Sequence, residues 1–501
     1  MAIISSHDVC EQITKSSKTF PYSVPKSPTM RSSDPPRHDS SLLTYLVTVE
    51  LLPLIGDRSL LIAEDETWKA LRRTYNQGFA PTHLATLLPR IVEKTKLFLD
   101  RLDDLVESGT PSPMDNLCTD LTFDIIGAVV MDVDLNAQLG TSKQSALVRY
   151  YRQLLITYTN QSGLIGMPTN PFLTRRRKKI TSIIDDELKA IIRSQHAEVV
   201  AAAKDTTMAQ EPSDKKKNRP RSVLALSLQA DHTAGTTPSL SPLALQTTAD
   251  TLKTFLFAGH DTTSVLLQWA FYELSRTPRA LAALRAELDA VFGAAATPLD
   301  IADALASSGG DDAIKKLAYT SAVIKETLRL YPPAGSARRA PPGAGLVVNI
   351  PDDAATGGTK AVCLDGFVLY SCHFLVQRDP AVYGPDADEW VPERWLGDVD
   401  TSRVDEIPDR GEVEVEPTTT TTRKVPPGAW RPFERGPRNC IGQELANLEA
   451  RVILAVAARR YDFIKVGAGE VRRDEAGNPV LNEKGQYEVV SPMFNFSQFT
   501  K

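Results

Sequence analysis

The stretch Pro432-Phe433-Glu434-Arg435-Gly436-Pro437-Arg438-Asn439-Cys440-Ile441-Gly442 constrains this chain more than any other. It reads as a rigid loop ending in one cysteine, with an amphipathic helix directly after it. Leu445, Leu448, Val452, Ala455 and Val456 recur there at helical spacing. Cys440 therefore falls at or just before a helix N-terminus, where unpaired N–H groups and the helix dipole favour a thiolate. Gly436 and Gly442 allow backbone conformations that a Cβ would obstruct and let a flat ligand come close. Phe433 supplies an apolar wall and Arg438 a cation on the rim.

A lone cysteine is ordinarily a buried structural one. The phenylalanine, two glycines, arginine and following helix at fixed offsets displace that reading in favour of a thiolate ligand to haem iron. Further segments stand out along the chain. Trp68 and Arg72 lie four apart in Glu64-Asp65-Glu66-Thr67-Trp68-Lys69-Ala70-Leu71-Arg72-Arg73. Acidic residues followed by basic ones suit a helix dipole, so both side chains share one face as a donor pair for a carboxylate.

Ser241-Pro242 opens the longest predicted helix, an N-cap followed by proline at the first helical position. It runs to about Arg276, on the order of 50 Å. Midway sits the polar cluster Ala258-Gly259-His260-Asp261-Thr262-Thr263. Polar groups inside an apolar helix are costly unless satisfied, and a threonine hydroxyl can bond the preceding turn and bend the helix. A further helix over 314–331 carries Glu326 and Arg329 one turn apart, with Pro392-Glu393-Arg394-Trp395 downstream. Ala334 to Arg339 reads as a strand.

Residues 433–442 match the loop Phe-x-x-Gly-x-Arg-x-Cys-x-Gly, and with these landmarks in order the chain resembles the cytochrome P-450 superfamily of haem-thiolate monooxygenases. The resemblance implies one mostly helical haem domain with small β-sheets, covering 41–501, and heme b with Cys440 as its axial thiolate. It implies that Thr262 and Asp261 manage protons, and that Trp68, Arg72, Arg438 and Arg339 hold propionates, with Arg338 the rival of Arg339. Phe433 and Gly442 shape the cofactor loop. Glu326, Arg329 and Arg394 form scaffolding that pins the Cys440 segment to the core. His260 occupies the variable position of its motif and receives no role. Gln377 stands where the family usually has histidine in a structural turn.

The implied reaction is insertion of one atom of O2 into an apolar small molecule, with electrons from an NADPH-cytochrome P-450 reductase. The texture is closest to fungal members that tailor secondary metabolites. Alternatives are a reductase-independent haem isomerase or peroxygenase, which the presence of Thr262 disfavours, and a truncated haem-binding protein without turnover.

Composition sets limits. A net charge of −5 gives no basic face for nucleic acid. Five cysteines without a Cys-x-x-Cys pair argue against a disulfide framework or a structural zinc site. Residues 1–40 are polar and read as a disordered segment, 204–220 as a flexible loop and 399–427 as a disordered surface insertion. Nothing in the chain supplies the ~20 consecutive apolar residues of a membrane span. Family members usually sit at the cytosolic face of the endoplasmic reticulum membrane behind such an anchor. Too few residues precede Trp68 for anchor, hinge and first helix, so the expectation is an abbreviated start or one further upstream. A peripheral membrane contact through Leu51–Leu54 or the basic run 175–179 is expected at most, with a solvated helix face the plainer reading of that run.

Overall fold

A computed structural model describes residues 1–17, 20, 23–25, 52–159, 171–208, 221–232, 240–351, 358–396 and 425–491. The insertion at 399–424 and the aromatic tail at 493–496 lie outside the described residues, as does 209–220 of the predicted loop.

The chain starts with strand β1 (Ala2–Ile4) and helix α1 (His7–Thr14), then α2 (Asp65–Asn76), α3 (Pro81–Thr86), α4 (Leu88–Ser108) and α5 (Met114–Ile126). A π-helical turn, Gly127–Met131, extends α5 and ends at Asp132 in the left-handed region. Next come α6 (Ala146–Thr159), α7 (Pro171–Met208), α8 (Val223–His232) and the long α9 (Pro242–Arg276). The Ser241 hydroxyl accepts from the Ala244 N–H, so the capping residues in the sequence do start α9. Helices α10 (Pro278–Phe292), α11 (Pro298–Ala306), α12 (Gly310–Lys315) and α13 (Ala318–Leu330) follow. Strands β2 (Ser336–Arg339), β3 (Val347–Pro351), β4 (Thr359–Cys363) and β5 (Val368–Ser371) lead to the short helices α14 (His373–Val376) and α15 (Pro380–Tyr383). A 3-10 turn at Pro392–Trp395 and helix α16 (Gln443–Ala458) complete the elements.

The main core is helical. Apolar faces of α4, α5, α9, α13 and α16 meet through residues such as Phe98, Leu121, Leu267, Val323 and Ile453. Helices α5 and α9 are also stitched by hydroxyls: Thr122 donates to the His260 carbonyl at 2.6 Å, and Thr119 and Ser264 share a 2.9 Å bond. Where hydroxyls enter a helix from a neighbour, its own ladder loosens.

A smaller core lies under the three-stranded sheet β1-β5-β2. Strand β1 runs parallel to β5 with Ile3 opposite Tyr370, and β2 runs antiparallel with Ala337 opposite Tyr370. Strands β3 and β4 form a separate antiparallel pair. The expectation of a disordered start is therefore corrected for residues 2–14. Ile4, Val9, Cys10 and Ile13 are buried against the sheet, which supplies the apolar surface that a polar segment lacks by itself. The predicted loop from 204 is likewise corrected, because α7 continues to Met208. The basic run is not a uniformly solvated face either: Arg177 is buried, donates to the Thr157 hydroxyl and carbonyl, and stacks over Tyr158. Among the described residues no helix is long and apolar enough to cross a membrane.

Candidate active site

Between α9 and the Cys440 loop lies a cavity of about 310 Å³. Its walls are mostly apolar, with Phe79, Ile126, Phe255 and Leu266 among them, and Cys440 and Thr262 both border it. The cysteine is placed by its loop. The Cys440 N–H donates to the Phe433 carbonyl at 2.8 Å, and the Asn439 N–H to that of Gly436 at 3.1 Å. Gly436 has φ of +77°, and a Cβ there would come within 2.1 Å of the Thr14 carbonyl oxygen of α1. Glycine is thus required twice over, by conformation and by the close approach of α1. Gly442 differs: its φ of −85° suits any residue, and a Cβ would meet only the Cys440 sulfur, at 3.9 Å. It lines the cavity, so a side chain there would take space from a ligand.

Trp68 and Arg72 share the buried face of α2 and both line the cavity. Arg72 Nη1 donates to the Asn439 carbonyl at 2.7 Å and Nη2 to the Asn439 side-chain oxygen at 2.9 Å. Burial pulls its pKa below the usual guanidinium range, while the nearby Cys440 opposes that shift. Arg438 lies 4.9 Å above the Trp68 ring and donates to the Ala63 carbonyl at 2.8 Å. Two guanidiniums, an indole and a thiol therefore converge on one apolar cavity.

Arg339, the expected propionate partner, lies at the end of β2. Alternation along β2 turns its guanidinium to the Gly366 carbonyl at 3.2 Å, away from the cavity walls. Its rival Arg338 does not line the cavity either. Fully buried, it donates to the Ser23 hydroxyl at 2.7 Å and lies 3.9 Å from Glu434.

On α9, Thr262 borders the cavity and donates to the Ala258 carbonyl at 2.7 Å. Asp261 is buried toward α5, outside the cavity walls. Burial raises its pKa to about 6, and the negative charge of Asp115 adds to the rise. His260 is also buried, stacked on Phe123 at 4.3 Å with Nδ1 against the Leu256 carbonyl, which agrees with a packing role.

The scaffold residues do meet. Arg329 pairs with both Glu326 oxygens at 2.8 Å, and Arg394 Nε reaches Glu326 Oε1 at 3.4 Å. The Val391 N–H and the Trp395 indole also donate to Glu326, each at 2.9 Å. This cluster fixes 387–395, while the link onward to the cysteine loop belongs to Gln377. Its amide donates to the Leu328 and Arg329 carbonyls, and its oxygen accepts the Arg431 N–H at 2.7 Å. Read from sequence, Gln377 is only a departure from histidine in a turn; its bridging role needs the folded loop.

Two further residues escaped the sequence reading. Glu434 holds φ of +57°, costly outside glycine, while pairing with Arg431 at 2.7 Å. Glu449 on α16 lines the cavity as a buried carboxyl. In sequence, Glu434 is only a variable position of the cysteine loop and Glu449 only an acidic residue of the helix after it.

A family model described as Cytochrome P450 matches residues 48–490. The chain belongs to the cytochrome P450 family. The cytochrome P450 monooxygenase acrF of Aspergillus aculeatus is 34% identical over 437 residues, spanning 85% of this chain and 79% of that protein. The cytochrome P450 monooxygenase polC of Polytolypa hystricis is 28% identical over 428 residues, spanning 85% of this chain and 68% of that one. The crystal structure of a cytochrome P450, CYP102L1, superimposes with a TM-score of 0.63 at 19% identity, over 97% of this chain and 90% of the other. The P450 fold is therefore shared, and the protein is a haem-thiolate monooxygenase, an oxidoreductase with haem as its cofactor. The cavity suits a haem group in its donor set: one thiol, apolar walls, and guanidiniums on the rim for acidic substituents.

Proposed function

We propose that Cys440 holds the haem iron in this cavity and that the enzyme oxygenates a small apolar molecule in fungal secondary metabolism. The observation that carries the reading is the placement of the Cys440 thiol and the Thr262 hydroxyl on one largely apolar cavity rimmed by Arg72 and Arg438. Haem bound there supplies binding and reductive activation of dioxygen. The protein's own residues do the rest. Arg72, Arg438 and Trp68 would hold the propionates, the guanidiniums by charge-assisted hydrogen bonds. Phe79, Phe255, Ile126 and Leu266 exclude water and give an apolar substrate its surface.

Thr262 offers a hydroxyl that can hold a water at the cavity wall, and Asp261, raised toward neutrality by burial, exchanges a proton with it from the α5 side. Members of the family typically take electrons from an NADPH-P450 reductase, and we assign this partner to the present enzyme. Resemblance to fungal monooxygenases supports the metabolic setting.

The test has two arms. Deleting the gene and comparing metabolites should show an oxygenated product lost and its less oxygenated precursor accumulated. The purified enzyme with an NADPH-P450 reductase should convert that precursor. In that assay Thr262→Ala should divert reducing equivalents to peroxide while retaining haem and substrate. Unchanged metabolites, or unchanged coupling of NADPH to product in the variant, would contradict the reading.

A further inference from the structure

The N-terminal half of α9 carries a cluster of buried charge that the oxygenation reading leaves unused. Asp250 is 1% exposed, and Lys253, one turn further on, 3%. The Lys253 ammonium stands 2.8 Å from an oxygen of Asp250 and 2.8 Å from an oxygen of Asp185 on α7. The Gln246 amide donates to both carboxylates as well, at 3.0 Å to Asp250 and 3.4 Å to Asp185. Two carboxylates against one ammonium leave the cluster a net negative charge, and buried charge is costly unless its partners are well placed. Apolar side chains would join α7 to α9 without that cost. The second oxygen of Asp250 shows what the cluster adds. It accepts the Arg58 N–H at 3.2 Å, from the segment that precedes α2.

That segment is a wall of the cavity. Leu60 and Leu61 border the space, as does Thr254 of α9. The segment is held at two places. Toward Cys440, Arg438 donates to the Ala63 carbonyl at 2.8 Å. At the other end both anchors come from α9: Asp250 at Arg58, and the Thr254 hydroxyl, which donates to the Ile55 carbonyl at 2.8 Å. Between these contacts Gly56 turns the chain with φ of +72°, and a Cβ there would stand 2.4 Å from the Asp250 side chain. The turn is thus built around that carboxylate, and glycine is required by conformation and by space. A wall tied only at Ala63 could swing away from α9. The Asp250 end fixes the gap between Leu60 and that helix.

We propose that Asp250 is a positioning residue for the oxygenation reaction: held by Lys253 and Gln246, and through them by α7, it anchors the 55–61 wall to α9 and sets the size of molecule the cavity admits. This rests on the reading of the cavity as the haem and substrate site. Asp250 does not line the cavity and takes no part in the chemistry. Its carboxylate acts through the Arg58 N–H, while Lys253 offsets its charge and holds it in place.

The test uses the full-length, haem-loaded protein. Asp250→Ala removes the anchor but leaves Lys253 its partner Asp185, a neutral pair, and places a good helix former in α9, so the variant should fold. Hydrogen exchange read by mass spectrometry should show the amides of 54–62 opening about tenfold more often, the worth of one charge-assisted hydrogen bond. Helix α2 should stay as protected as in the native protein. Native protection of 54–62 in Asp250→Ala overturns the anchor. The second readout is selectivity by size. Imidazole and 4-phenylimidazole each shift the haem spectrum when a ring nitrogen binds the iron, and they differ by one aromatic ring. Asp250→Ala should shift the ratio of their dissociation constants by about two- to tenfold in favour of the larger ligand. Gly56→Ala presses on the same contact from the wall side, alters no charge, and should shift the ratio in the same direction. An unchanged or reversed ratio overturns the positioning role, and Gly56→Ala decides it even where Asp250→Ala does not fold. A residue that served stability alone would lower the thermal midpoint of its variant and leave the ratio native. Exchange at 54–62 does not depend on ligand binding. A native protein whose haem spectrum ignores imidazole would therefore sink the reading of the cavity, while exchange in Asp250→Ala would still decide the anchor.

Discussion

Arg72 grips Asn439 with both ends of its guanidinium, at 2.7 Å to the backbone carbonyl and 2.9 Å to the side-chain oxygen. Helix α2 is thereby tied to the residue just before Cys440, and the cation that faces the cavity also holds the thiol's loop. Replacing Arg72 by alanine should speed haem loss to an apoprotein acceptor by on the order of tenfold or more, since charged hydrogen bonds contribute ~1.5–3 kcal/mol. Arg72→Lys should recover little, because an ammonium cannot serve two acceptors in a fixed plane. Haem loss in Arg72→Lys at the native rate would contradict this.

Removing the charge of Glu326 should be far more damaging. Arg329 is fully buried, and Arg394 nearly so, around a carboxylate that accepts from five donor atoms. Breaking a buried pair by taking away one partner costs about 3–5 kcal/mol. Glu326→Gln should therefore lower the thermal midpoint strongly and yield little haem-loaded protein. Recovery of normal yield and midpoint would show that the cluster does not hold this part of the fold.

Asp261 makes stability depend on pH in a direction that can be worked out. Burial raises its folded pKa from 3.8 to about 6, so between these values the folded state binds more protons than the unfolded state. Stability contributed by this site then falls as pH rises, and the full penalty, on the order of 2–3 kcal/mol, is reached above pH ~6. Asp261→Asn removes the penalty. Its midpoint should exceed the native one by more at pH 7.5 than at pH 5, even as turnover slows. A difference that shrinks with rising pH would refute the assignment.

How much of this was legible beforehand varies with the range of the forces involved. The start of α9 is written locally, in Ser241 as a side-chain acceptor and Pro242 at the first helical position, and it appears as read. The helix after Cys440 follows from its apolar periodicity, and the helix of Trp68 and Arg72 from its acidic-then-basic charge order. Strand β1 does not, because its hydrogen bonds go to β5, hundreds of residues away, and a polar start gives no sign of that partner. A one-residue step in a strand reverses the face, so the sequence alone leaves Arg338 and Arg339 undecided, and neither borders the cavity. Gln377 acquires its role only from neighbours contributed by other elements.

The contact of α1 with the cysteine loop gives a further prediction. Gly436→Ala would need an L-residue at φ of +77° and would press its Cβ to 2.1 Å from the Thr14 carbonyl. Strain of this kind costs on the order of 1–3 kcal/mol before α1 moves. The variant should bind haem less completely, and hydrogen exchange should show residues 7–14 less protected. Native protection in α1 would contradict the contact.

The most direct test of the account is the spectrum of the reduced enzyme with carbon monoxide. With Cys440 as thiolate ligand, the native protein should give the red-shifted Soret band that thiolate ligation produces. Cys440→Ser should abolish that band, while changes at Cys10, Cys118, Cys363 or Cys372 leave it in place. A normal thiolate band in Cys440→Ser would contradict the account at its centre.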